Sequence, residues 1–206
     1  MTKLPYEINL EGDPRKGPTG KIPFVEINGK LIGDSGIIQN ILEQQAGVNF
    51  HKNLSPEQKA IGLAFTRLIE EHLYWVLVYS RWFEDENWVV TKSLFFSQLP
   101  IPLRWVLPNI IRKQVFKNMH GHGIGRHPKT TIYQLAAADL AAISDFMADK
   151  KTMFGGEPTA VDATLYGLLS SILDADFDTE LKRSALQHQN LTAFTARMRQ
   201  RYFPDL

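Results

Sequence analysis

After Ile32 this sequence never again alternates apolar and polar residues as a half-buried strand does, and that restricts the fold more than any other feature. Any sheet must therefore be built ahead of that point. Leu4 to Leu10 reads as a strand, Glu11-Gly12-Asp13-Pro14 as a turn, and Arg15 to Gly20 as a polar loop rich in Gly and Pro. Phe24-Val25-Glu26-Ile27 and Lys30-Leu31-Ile32 then flank Asn28-Gly29, the strongest two-residue hairpin signal. Pro23 cannot donate to a ladder, so it suits the position just ahead of the first of these strands. Gly33-Asp34-Ser35 opens a helix that runs to about Gln45, with Asp34 or Ser35 as its cap.

From Ser55 onward the periodicity is helical. Ser55-Pro56-Glu57-Gln58 combines a Ser cap, a first-turn Pro and a Gln three residues on, and the apolar spacing that follows predicts a helix to about Glu84. Further helices are expected near 87–98, 101–119, 129–149, 160–173, 179–187 and 191–202. Gly47 to Leu54 is polar and aperiodic, as a linker would be. The expected organisation is an α/β domain over 1–47 and an all-helical domain over 48–206. With 206 residues and 44% apolar composition, both have material for a core.

A formal charge of +1 gives no global pull toward nucleic acid or membrane, and no nucleic-acid partner is expected. The most apolar region, Leu94 to Phe116, is broken by three prolines and two arginines, so no membrane span is expected. The absence of Cys excludes disulfides, thiolate metal sites and Cys-x-x-Cys redox centres within these residues, and permits an intracellular home; cytoplasmic residence is the expectation. The N-terminus has no basic region followed by an apolar run, so no signal peptide is expected. The charge is unevenly placed, however. No acidic residue lies between Glu86 and Asp139, whereas Lys92, Arg104, Arg112, Lys113, Lys117, Arg126 and Lys129 do. This window reads either as a solvated basic face or as a wall that attracts anions.

Three local features bear on function. Ile22 precedes a proline and is pushed to extended geometry; were the Ile22–Pro23 bond cis, Ile22 could offer its own N–H and C=O to a peptide-like ligand as an added strand. The first turn of the next helix is a seat for a carboxylate, and Asp34 suits an ammonium. A small zwitterionic peptide fits that path; so does the plainer reading of a hairpin and a capped helix. Second, His120, His122 and His127 include a His-x-His pair, but no carboxylate is nearby, so a polar loop is preferred to a metal site; Arg126 is a candidate anion contact. Third, Trp75, Tyr79, Trp82 and Phe83 recur at near-helical spacing beside Tyr74, as core or as part of a pocket wall.

The stretch GKIPFVEINGKLIGDSGII, Gly20 to Ile38, resembles the glutathione-binding segment of the thioredoxin-like domain in glutathione S-transferases. FGGEPTAVDATLYGLLSSIL, Phe154 to Leu173, is similar to that family's second landmark, in which Thr159-x-x-Asp162 would be the capping box of the core helix. The stretches SRWFEDENW, HGHGIGRH and the closing RMRQRYFPDL resemble the failed-axon-connections and metaxin-like branch. The resemblance implies a thioredoxin-like domain, incomplete at its start, followed by a helical domain of the transferase type. It implies glutathione as co-substrate or ligand, a small hydrophobic electrophile, no metal, and association as a homodimer or with another protein. Ile22 would clamp the cysteinyl backbone, Pro23 would be the cis-proline, Asp34 and Ser35 would hold the γ-glutamyl end, and Lys21 would meet the glycyl carboxylate. Family members place a strand and helix ahead of the strand that Leu4–Leu10 resembles, and that unit carries the thiol-stabilising Tyr, Ser or Cys. No such unit precedes it here, so no catalytic residue is carried over. The expectation is a truncated or mis-started product, or a variant in which something else fills the gap; a non-catalytic adaptor is the alternative function.

Overall fold

The computed structural model describes residues 1–9 and 16–204. They fall into two compact units, Met1–Leu54 and Ser55–Leu206. The first contains β1 (Phe24–Ile27), β2 (Lys30–Gly33) and α1 (Ser35–Ala46). The strands pair antiparallel, Phe24 opposite Gly33 and Ile27 opposite Lys30. Asn28 and Gly29 carry φ of 51° and 75°, the two left-handed positions that a tight hairpin turn of this hand requires. Gly47 ends α1 in the left-handed conformation.

Two expectations are corrected in this unit. Over 1–9 no strand forms, although Tyr6 and Ile8 alternate with polar residues; both are exposed, and among the described residues only β1 and β2 pair. An alternating pattern supplies a face for burial, but a ladder also needs a neighbour. Leu10, the expected turn at 11–14 and Arg15 lie outside the described residues. Residues 48–54, expected as a linker counted with the helical domain, group with the first unit. Val48 N–H donates to the Glu43 carbonyl at 3.0 Å and Phe50 N–H to Glu43 Oε1 at 3.2 Å, which tie the segment to α1.

The second unit is helical throughout its regular structure: α2 (Pro56–Arg67), a π-helical turn (Leu68–Leu73), α3 (Tyr74–Trp82), α4 (Asp85–Phe96), α5 (Leu103–His122), a 3₁₀ turn (Ile124–Arg126), α6 (Lys129–Met147), α7 (Ala160–Leu173), α8 (Glu180–Leu186) and α9 (Gln189–Tyr202). The helix expected from Ser55 to Glu84 is one run, but it widens into the π-helical turn midway. Its start is the expected capping box: Gln58 N–H donates to Ser55 Oγ at 3.1 Å and Ser55 N–H to Gln58 Oε1 at 2.9 Å.

The core lies where the π-turn and α3 (Ile69, Leu73, Val76) meet α6 (Ile132, Ala136, Leu140, Ile143), α7 (Leu165, Leu169) and Phe194 of α9, all buried. At the head of α7, Asp162 is fully buried. Its Oδ2 accepts the Thr159 N–H at 2.8 Å and the Thr159 hydroxyl at 2.7 Å, while Oδ1 accepts the Met153 N–H at 2.8 Å. The box therefore does more than cap α7. It also fixes the preceding loop, because one carboxylate serves donors on both sides of the turn.

The stretch 80–88 is a structural corner. Glu84 Oε1 accepts Lys129 Nζ at 2.6 Å and the Tyr133 hydroxyl at 2.9 Å, and Oε2 accepts Asn87 Nδ2 at 3.0 Å. Arg112 of α5 donates to the carbonyls of Trp82 (2.7 Å) and Phe83 (3.0 Å) and to Asp85 (2.7 Å). It lies over the Trp88 ring at 5.0 Å. The α4–α5 hairpin is thus anchored to the end of α3 by one guanidinium that satisfies otherwise free helix-end carbonyls.

Candidate functional site

In the first unit the candidate residues follow one another along a single path. Lys21 is exposed, and Ile22 is 67% exposed. The Ile22–Pro23 bond is cis. The ladder begins at Phe24, so the Ile22 main-chain groups stand outside it. Gly17 makes the approach to β1 possible: a Cβ there would stand 2.7 Å from the Phe24 ring. Gly33 pairs with Phe24, so the chain returns to the same end of the hairpin, where Asp34 has φ 76°, an unusual value for a non-glycine residue, and Ser35 begins α1.

Of the two residues expected to cap α1, Asp34 is the one that does so. Its Oδ1 accepts the Gly36 N–H at 3.0 Å and the Ile37 N–H at 3.2 Å. Two of the first-turn donors expected to seat a ligand carboxylate are therefore taken by the chain's own carboxylate. The negative charge remains at the helix tip, where it suits an ammonium group.

Among the described residues of the second unit are two clefts of similar size. One, of about 440 Å³, is bordered by His72, His122, Arg126, His127 and Leu135. His72 sits in the π-helical turn, a feature often found where helices serve function. Its Nδ1 meets Asp139 Oδ2 at 2.5 Å. Burial pushes the Asp139 carboxyl up from its ordinary value, and His72 partly offsets that. His122 Nε2 lies 3.0 Å from the Glu71 carbonyl, with its ring 4.9 Å from that of Trp75. Arg126, the candidate anion contact, borders this cleft, and its Nε donates to the His120 carbonyl at 2.8 Å. Gly125 permits the reversal, since a Cβ there would stand 2.9 Å from the Met119 carbonyl carbon. Among the described residues no three His, Asp or Glu side chains gather as a metal set.

The other cleft, of about 450 Å³, lies along the α4–α5 hairpin, with Trp88, Phe96 and Trp105 on its walls and Lys92 and Arg104 beside them. The aromatic stripe on α3 borders neither cleft. Its members are half-buried and packed on one another or on neighbours: Tyr79 on Phe83 at 5.0 Å, Trp82 on Trp88 at 5.3 Å. The His72–Asp139 pair and the Glu84 cluster were missed in the sequence. Their partners are separated by 67 and 49 residues respectively, and no local spacing signals them.

Comparison with known proteins gives the family. The sequence profile of the glutathione S-transferase N-terminal domain matches residues 1–87, and that of the glutathione S-transferase C-terminal domain matches 136–198. Isoprene-epoxide–glutathione S-transferase of Rhodococcus sp. (strain AD45) is 32% identical over 188 residues, covering 90% of this chain and 79% of that protein. Failed axon connections of Drosophila melanogaster is 31% identical, covering 100% of this chain and 52% of the relative, so the chain spans about half of that longer protein. Metaxin-1 of Mus musculus is 27% identical, covering 99% of this chain and 67% of the relative. The hairpin and cis-proline segment, the buried box at Thr159 and Asp162, and these matches agree: the chain belongs to the glutathione S-transferase superfamily, alongside failed axon connections and the metaxins.

Proposed function

We propose that residues 21–35 bind glutathione, and that the reaction served is attack of its thiol on a small hydrophobic electrophile. The observation that supports this most is Ile22, an exposed residue whose main chain stands outside the ladder at the hairpin end that carries the charged helix tip. In this reading Ile22 pairs with the cysteinyl backbone through its N–H and C=O. Asp34 and Ser35 hold the γ-glutamyl end, Asp34 through the ammonium, and Lys21 meets the glycyl carboxylate. An epoxide is the electrophile class suggested by the name of the Rhodococcus relative. There the new C–S bond would form as a ring C–O bond breaks, and the resulting alkoxide would take up the proton lost by the thiol. The proposal assigns binding, not thiol activation, to these residues.

Isothermal titration with glutathione tests the binding half. Saturable heat that disappears in Asp34→Asn supports it, because Asn retains a cap oxygen for Gly36 and Ile37 while removing the charge. No heat with the intact chain overturns it. A second reading is a non-catalytic interaction protein. It is favoured by the match over nearly the whole chain to failed axon connections and metaxin-1, and by the apolar surface of the α4–α5 hairpin. A conjugation assay with a generic electrophile separates the two: turnover above background supports the transferase, and background rates alongside intact glutathione binding support the adaptor.

A further inference from the structure

Exposed apolar residues in the helical unit concentrate at one place. Leu94 and Phe95 end α4, Ile101 lies in the turn, and Leu103, Trp105 and Val106 open α5; each is at least half exposed. An apolar cluster of this kind on a polar surface marks a contact site. The charged residues of the tip itself are cations. Lys92 is one turn behind the tip on α4, Arg104 is at the tip, and Lys113 and Lys117 follow on α5. None of these four carries an ion pair among the described residues, and the sequence has no carboxylate from 87 to 138. Lys92 and Arg104 also flank the cleft walled by Trp88, Phe96 and Trp105. The inner face is firmly held: Trp88 and Phe96 are buried, and Arg112 ties the hairpin to α3.

We propose that this hairpin tip docks onto an anionic phospholipid surface, its apolar residues entering the headgroup boundary while Lys92 and Arg104 receive lipid phosphates. Apolar and aromatic residues at the point of a cationic element form the arrangement that lies on a bilayer rather than across it. No described helix is long and apolar enough to cross one. A second copy of the chain fits less well, because a two-fold interface at the tip sets the same cations against each other. Trp105 gives the surface an amphipathic ring suited to the headgroup layer.

Flotation of the full chain with vesicles of equal parts phosphatidylcholine and phosphatidylglycerol, and with phosphatidylcholine alone, tests this. Binding to the anionic vesicles only, weakened by salt, is expected. Neutralising Lys92 and Arg104 with Gln should weaken it roughly fivefold for each charge. Leu103→Ser with Val106→Ser should weaken it at least as much; both sites are exposed, and an unchanged circular-dichroism melt confirms the fold. Brominated lipid should quench Trp105, and Trp105→Phe should remove most of that quenching. Failure to float with anionic vesicles at low salt overturns the proposal, as does binding that all these variants leave unchanged. A chain that stays with the aqueous fraction while running as a dimer disrupted by Leu103→Ser assigns the tip to self-association instead.

Discussion

Replacing Asp162 by Ala removes a single buried carboxylate and leaves three donors facing the cavity: the Met153 N–H, the Thr159 N–H and the Thr159 hydroxyl. The hydroxyl can rotate toward another acceptor, but the two amides are fixed by the backbone. An unsatisfied buried donor costs about 1–3 kcal/mol. Two such amides, with the lost cap of α7, place the destabilisation at about 3–5 kcal/mol. For a unit of this size that lowers the melting midpoint by about 10 °C. Asp162→Asn keeps one acceptor but turns an amide N–H₂ toward the remaining donors, so it should recover less than half of the loss. Urea unfolding followed by circular dichroism gives both values. A loss below about 1 kcal/mol for Asp162→Ala, the value of an ordinary exposed cap, refutes the view that this carboxylate locks the loop as well as the helix.

Three further outcomes are expected. Burial raises the Tyr133 hydroxyl well above its ordinary 10.0, and Glu84 raises it further through charge and hydrogen bond. The unfolded chain then loses this proton near pH 10 while the folded chain keeps it, so this hydroxyl's contribution to stability is level below pH 10 and falls above it; Tyr133→Phe should flatten that fall by about 1.4 kcal/mol per pH unit, read from alkaline unfolding curves. Arg112→Ala should free the α4–α5 hairpin by leaving the Trp82 and Phe83 carbonyls unmatched, at about 2–4 kcal/mol, with Arg112→Lys recovering only part; faster proteolysis within 85–122 measures it. Asp34→Ala should lower both the stability of α1 and glutathione affinity, whereas Asp34→Asn should lower affinity with little change in the melt, since Asn tolerates the left-handed backbone and keeps the cap.

Local chemistry was legible in the sequence; chemistry between distant residues was not. Ser55 with Gln58 and Thr159 with Asp162 announce themselves because a capping box is written within four residues. Asn28-Gly29 likewise fixes its own turn. The alternation misled over 4–9 because it reports a face and not a partner strand. Asp34 was placed at the right tip, both as a candidate cap and as a partner for a ligand ammonium, but that its oxygen takes two of the first-turn donors shows only in the structure, since sequence does not tell which way a carboxylate turns. The corner at Glu84 depends on Lys129 and Tyr133, which only the packing of α6 against α3 brings near. The π-helical turn at Leu68–Leu73, which carries His72 beside Asp139, leaves no mark in the periodicity.

Amide chemical-shift mapping of the labelled chain during addition of glutathione tests the central reading most directly. Saturable shifts confined to Lys21, Ile22 and the tip at Asp34 and Ser35, with the helical core unmoved, are the predicted result. Unchanged amides along that path at millimolar ligand, or shifts gathered around His72 and Arg126 instead, contradict it.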